Sequence, residues 1–176
     1  MSSIQSCELP RASLLAKYLH AGAYADCYVT DVARPVSHAE YVEAFYSTPV
    51  FRIERLLLAW LVSKPSTDAQ AKELACGRLN TFAAWSVEGR SADQLLLSDF
   101  QGRTRSWLMS VASKAGGPAS TRLYFGSAVV PIGSRRSGKT RMGFSFRALL
   151  GFHKLYSRVL LRAASSRLAR SRHTET

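Results

Sequence analysis

The chain is poor in the residues that build disulfide frameworks and metal sites. Its 176 residues include only three cysteines, Cys7, Cys27 and Cys76, which are far apart and form no C-x-x-C pair. This usage excludes a disulfide-dense scaffold and a cysteine zinc site, and it is typical of reduced thiols in the cytoplasm. The four histidines are dispersed without metal-ligand spacing, so we expect neither a metal nor another cofactor.

Long hydrophobic runs are also missing. The longest apolar run, residues 56–62, covers only about a third of the ~20 residues that a membrane-spanning helix needs. The first residues lack the continuous apolar centre of a secretory signal. Together with the cysteine usage, these absences predict a soluble cytoplasmic protein.

Acidic residues are nearly absent from the C-terminal quarter. Residues 132–176 contain 11 Lys/Arg and one Asp/Glu, whereas residues 1–131 contain 13 and 11. The segment can therefore contact anionic lipid or nucleic acid, or it forms a solvated basic face. The basic stripe along the predicted last helix has no aromatic residues interleaved for base stacking, which disfavours nucleic acid and leaves peripheral membrane contact open. The basic surface candidates are Arg135, Arg136, Lys139, Arg147, Lys154, Arg158 and Arg162.

The basic segment contains a phosphate-loop pattern. Residues 133–140 fit G-x-x-x-x-G-K-[ST], with Lys139 at the position that contacts phosphates. A working phosphate loop follows a strand of a parallel sheet, and later strands supply the acidic partner of magnesium. Only one predicted helix follows here. We therefore interpret the pattern as a coincidence within a basic loop, not as a nucleotide site.

The first half of the chain predicts one strand and then helices. Residues 25–32 are rich in β-branched and aromatic residues, as a strand requires. Ser37 and Thr67 each have a glutamate or glutamine three residues later, which predicts a capping box at a helix start. Thr48 precedes a proline and predicts another helix start, and Gly77 predicts a helix end.

The second half predicts an antiparallel meander and a long helix. The segments 80–88, 93–100, 103–111 and 121–131 have strand composition and glycine-centred connections. Both faces of these strands are partly apolar, so we expect the second face to be covered in part. Residues 144–172 predict an amphipathic helix, with an apolar stripe formed by Phe146, Leu149, Phe152, Tyr156, Val159 and Ala163. The order predicts an α+β fold with an antiparallel sheet.

Two stretches carry a family resemblance. "RLYFGSAVVP" followed by "LLGFHKLYSRVLLRAA", and "LLLSDFQGRTRSWLMSV", resemble segments of an uncharacterised bacterial family of START-like (SRPBCC-type) domains. The resemblance implies a helix-grip fold for residues 25–164, in which a curved antiparallel sheet wraps around the long C-terminal helix. Residues 1–24 would then be an N-terminal extension and residues 165–176 a flexible basic tail. The resemblance transfers no catalytic residue to this chain.

The predicted fold points to a binding function. We expect an apolar or amphipathic small molecule in a cavity of at least about 300 Å³ between sheet and last helix. The cavity candidates are Trp85, Trp107, Tyr124, Phe152, His153 and Tyr156. A cyclase- or hydratase-like enzyme with His153 or Tyr156 as proton carrier is the less favoured alternative. A second alternative is a basic protein that binds lipid or nucleic acid peripherally.

Overall fold

The computed structural model describes residues 3–20, 23–53, 55, 65–113, 119–130 and 144–170, and only the backbone of residues 20 and 144–154. The strands within these ranges are β1 Gln5–Ser6, β2 Tyr24–Val32, β3 Thr81–Phe82, β4 Trp85–Arg90, β5 Gln94–Asp99, β6 Thr104–Ser113 and β7 Ser120–Val129. The helices are α1 Ala16–His20, α2 His38–Tyr46, α3 Asp68–Ala75 and α4 Phe144–Arg170. Residues 49–53 are helical as well.

The strands form one antiparallel sheet in the order β1-β2-β7-β6-β5-β4-β3. The run from β4 to β7 is the predicted meander, in which each strand pairs with the next. The first long strand, β2, pairs with β7 along its whole length, from Tyr24 opposite Val129 to Val32 opposite Thr121. This arrangement confirms the α+β class and the antiparallel sheet.

The predicted helix boundaries are confirmed by their caps. Ser37 and Thr67 each accept a hydrogen bond from a backbone N–H three residues later, and both form complete capping boxes. The Thr48 hydroxyl accepts a hydrogen bond from the Phe51 N–H at 3.2 Å, at the start of the helical stretch 49–53. Gly77 has a φ of 78°, a left-handed conformation that glycine adopts without a steric penalty.

One predicted strand is wrong. Residues 80–88 do not form a single strand, because a turn at Ala83 and Ala84 separates β3 from β4. Phe82 pairs with Trp85 across this tight turn. Ala83 has a φ of 52°, a left-handed conformation that is uncommon for alanine. No glycine or asparagine marks the turn, so its composition gave no signal.

Helices α2 and α4 cover one face of the sheet, which we call the helix face. Residues of α2, including Tyr41 and Phe45, pack with Leu108 of β6 and Leu123 of β7. The α4 helix contacts α2, β2 and β7. No helix within the described ranges is long and apolar enough to cross a membrane.

The buried stripe of α4 differs from the predicted one. The helix buries Ser157, Leu160, Leu161, Ala164 and Leu168, which recur at steps of three and four residues. The predicted stripe included Val159, but that side chain is 40% exposed. The observed buried stripe is therefore displaced from the predicted stripe by about one residue around the helix axis. It follows from the packing of Leu160 and Leu161 against the helix face.

The N-terminal segment, residues 3–18, covers part of the opposite face, which we call the outer face. Leu15 of this segment packs with Leu96 and Trp107 in a second, smaller core cluster. Gln94 joins the layers: its Oε1 accepts hydrogen bonds from the Leu14 N–H and the Trp107 indole, both at 2.9 Å. The expected partial cover of the second face is confirmed. The residues expected as an N-terminal extension provide this cover, and their strand β1 pairs with β2 at the edge of the sheet.

Candidate functional site

A cavity of about 270 Å³ lies between the helix face of the sheet and α4. Its walls are largely aromatic and include Phe45, Phe51, Trp85, Phe125 and Tyr156. The rings of Phe45 and Phe125 are in contact, with centroids 4.8 Å apart. The volume falls slightly below the expected lower bound of about 300 Å³. The space therefore suits a molecule of one or two rings and not a long lipid.

Polar side chains form a row across the floor of the cavity. Asp26, Ser127 and Ser106 lie opposite one another on the adjacent strands β2, β7 and β6, and we call them the polar row. The Ser127 hydroxyl donates to Asp26 Oδ1 at 2.5 Å. Ser106 Oγ lies 3.1 Å from the hydroxyl of Tyr46 on α2. Ser106 and Ser127 line the cavity, so its floor is polar although its walls are not.

The mouth of the cavity is formed by the hairpin between β5 and β6. Phe100 lies at its tip and is 53% exposed. Asp99 Oδ1 accepts hydrogen bonds from the backbone N–H groups of Arg103 and Thr104, at 2.6 and 3.1 Å. Asp99 thus stabilises the turn through the backbone, and Arg105 also borders this end of the cavity.

Comparison with known proteins adds no relative. No family model matches the chain, and no curated protein matches it. The functional argument therefore rests on the geometry of the cavity.

Two of the predicted cavity residues line the cavity and two do not. Trp85 and Tyr156 lie in its wall. Trp107 and Tyr124 point to the outer face, where their rings lie 6.3 Å apart under the N-terminal segment. Strand alternation explains the correction, because the neighbouring positions Leu108 and Phe125 are the ones that pack on the helix face.

The remaining cavity candidates lie on α4. Phe152 and His153 are within the helix, but their side chains are outside the described atoms. The expected role of His153 as a proton carrier therefore stays a prediction. Tyr156, one turn later, is half-buried beside the cavity.

The predicted basic surface is described only at its C-terminal end. Arg135, Arg136 and Lys139 lie outside the described residues, as does the whole phosphate-loop pattern, and Arg147 and Lys154 are described only by their backbone. Arg158 lies over the Tyr28 ring, with 5.7 Å between its guanidinium carbon and the ring centroid, whereas Arg162 is exposed. The exposed side chains of Leu155 and Val159 lie in the same shallow groove as these two arginines.

The strand before the phosphate-loop pattern lies in an environment unlike that of a nucleotide-binding sheet. This strand, β7, is antiparallel to both β2 and β6. A phosphate loop normally follows a strand of a parallel sheet. Among the described side chains, no group of three His, Cys, Asp or Glu residues could hold a metal ion.

His38, the first residue of α2, has an unusual environment that the sequence did not reveal. Its Nδ1 lies 3.2 Å from the Ser110 hydroxyl, and its Nε2 is buried without a hydrogen-bond partner. Burial lowers the pKa of His38 to about 4, opposed by the carboxylate of Asp93 and reinforced by the charge of Arg90. His38 also borders a separate small cavity of about 170 Å³.

The polar row was also not predicted from the sequence. Ser106 and Ser127 lie within strands, and Asp26 is the third residue of another. Serine at a position that faces an apolar core is a signal, but β6 has two such serines, Ser106 and Ser110, and the strand alone does not show which of them belongs to the row. The row exists because the register of three strands aligns them, and that register is not readable from local sequence.

Proposed function

We propose that the chain is a START-like, helix-grip domain that binds a small apolar or amphipathic molecule between its sheet and its last helix. The observation that carries this proposal is the cavity, with aromatic walls and hydroxyl groups at its floor. Concave, largely apolar spaces with a few placed polar groups are typical of ligand sites. The element order, a meander followed by a long C-terminal helix, supports the helix-grip assignment.

The size of the cavity limits the ligand. An engineered apolar cavity of about 150 Å³ is sufficient to bind benzene, and this cavity measures about 270 Å³. Drug-sized ligands generally occupy about 300–1,000 Å³. A molecule with one or two fused rings therefore matches the space.

The proposal is tested by titrating the protein with indene, an apolar two-ring probe. We expect saturable binding, with amide chemical-shift changes concentrated near Phe45, Trp85 and Phe125. Replacing Ala84, which lines the cavity and is 6% exposed, with leucine fills part of the space. Ala84→Leu should weaken indene binding at least about tenfold, because steric exclusion removes the apolar contacts of the ring.

Ala112→Leu is the matched control, since Ala112 is exposed on β6 and does not line the cavity. It should bind indene like the wild type. Thermal melting of both variants verifies that they are folded. Indene that does not saturate, or that binds Ala84→Leu as tightly as the wild type, would overturn the proposal.

A further inference from the structure

Two cysteines lie opposite each other where the N-terminal segment meets the sheet. The register that places Ser6 opposite Tyr28 continues to Cys7 opposite Cys27, and the Cys7 N–H donates to the Cys27 carbonyl at 3.0 Å. Both side chains belong to the smaller core cluster, which contains Trp107 and lies on the outer face. The two thiols are free, and their sulfur atoms lie 3.2 Å apart.

We propose that Cys7 and Cys27 are an oxidation site, at which a small-molecule disulfide converts the two thiols into a disulfide bond between the N-terminal segment and β2. Residues opposite each other in a hydrogen-bonded antiparallel pair have Cα atoms about 5.5 Å apart. This separation is within the range of about 4.4–6.8 Å that a disulfide spans, so the bond closes without movement of the backbone. The inference goes beyond the proposed function, because neither cysteine lines the cavity.

A groove at the edge of the sheet gives the oxidant access to the pair. Both cysteines line this groove, which has a volume of about 640 Å³ and is also bordered by Leu9 and Leu19. The Cys7 side chain is half-buried, whereas the Cys27 side chain is buried. Cys7 is therefore the residue that meets an incoming disulfide first.

The charges around the two thiols also favour Cys7 as the attacking residue. Burial raises the pKa of both thiols. The positive charge of Arg122 opposes this rise at Cys7, whereas the negative charge of Asp26 adds to it at Cys27. Because the thiolate is the nucleophile, Cys7 ionises and reacts more readily than Cys27.

The reaction is thiol–disulfide exchange in two steps, with oxidised glutathione as the representative oxidant. The Cys7 thiolate attacks one sulfur of the oxidant, which forms a mixed disulfide and releases one glutathione thiol. The Cys27 thiolate then attacks Cys7 Sγ, which closes the protein disulfide and releases the second glutathione thiol. The two cysteines lose two electrons and two protons in total, and the oxidant is reduced to two thiols.

The disulfide fastens the cover of the outer face. The segment pairs with β2 through only two residues of β1, Gln5 and Ser6, and its Leu15 side chain packs in the same cluster as Trp107. The bond joins positions 20 residues apart in the chain, and closing such a loop restricts the unfolded state. Oxidation should therefore raise the melting temperature.

The test uses the Cys76→Ser variant, which keeps the pair and lacks the exposed third thiol. After incubation with oxidised glutathione, its intact mass should fall by about 2 Da, and peptide mapping should join Cys7 to Cys27. Its melting temperature should exceed that of the reduced form by about 5 °C or more, and dithiothreitol should reverse both changes. A retained glutathione adduct, an unchanged mass or an unchanged melting temperature contradicts the proposal.

Two double variants are the matched controls. Cys27→Ser/Cys76→Ser keeps the attacking thiol without its partner, so it should retain a glutathione adduct and not lose about 2 Da. Cys7→Ser/Cys76→Ser keeps only the buried thiol and should stay unmodified over the same time. Thermal melting before oxidation verifies that both variants are folded. An adduct on the second variant and not on the first would show that the assigned order of attack is wrong.

Discussion

Replacing Trp107 with alanine is expected to lower the free energy of unfolding by about 3–5 kcal/mol. The indole is completely buried on the outer face. It packs between Leu15 and Gly126 so closely that a Cβ added to Gly126 would lie 2.9 Å from Trp107 Cε3. The indole lies between the sheet and the N-terminal segment, so the surroundings collapse only partly into the space that alanine would leave, and the cost includes a cavity.

Urea unfolding measures this loss, with an unchanged m-value as the sign that the native fold is kept. Trp107→Phe retains a ring but not the donor to Gln94, so it should cost less, about 1–3 kcal/mol. Val111→Ala is the control, because Val111 lies on the same face of β6 but is 40% exposed. It should change stability by less than about 0.5 kcal/mol. A loss below about 1 kcal/mol for Trp107→Ala would contradict the packing described here.

Substitution of Trp107 also tests whether this residue packs only in the core or lines the ligand cavity. Because Trp107 lies on the face opposite the cavity, Trp107→Phe should leave the affinity for indene unchanged. A parallel loss of affinity would instead support the sequence-based expectation that Trp107 lines the ligand site.

Features encoded locally were predictable from the sequence. A capping box such as that of Ser37 or Thr67 is complete within four residues, so its signal does not depend on the rest of the fold. The hairpin between β5 and β6 is equally local, since Gly102, with a φ of 68°, lies in the short turn that joins two strands that are neighbours in the chain. The antiparallel sheet follows from short connections of this kind.

Features that depend on which face is covered were not predictable. Trp107 and Leu108 are adjacent and both apolar, and nothing in the sequence decides which of them meets the helices. The N-terminal segment covers Trp107 and so places this side chain on the outer face. The only regular elements in this part of the chain are a two-residue strand and a five-residue helix. Elements this short have no measurable periodicity. The polar row could not be predicted either, because it depends on the register of β2, β7 and β6, which local sequence does not encode.

Between pH 7 and pH 5 the free energy of unfolding should fall by up to about 2 kcal/mol because of His38. Burial lowers the pKa of this side chain from 6.5 to about 4 in the folded protein. In this window the unfolded chain binds a proton at His38 and the native protein does not, so acidification favours unfolding. Above about pH 7.5 both states are neutral at this position, and its contribution becomes constant.

Urea titrations at half-unit pH intervals measure the effect, and His38→Gln should flatten the profile above pH 5. Glutamine stays neutral throughout and can still bond to the Ser110 hydroxyl from the first turn of α2. Below about pH 4.5 another loss of stability begins in both proteins, because burial, which raises the pKa of Glu40, Asp68 and Glu88, is outweighed by hydrogen bonds and ion pairs that lower it in the native state. The window above pH 5 therefore separates the histidine from these three carboxylates. A slope that persists unchanged in His38→Gln would assign the titration to another group and contradict the prediction.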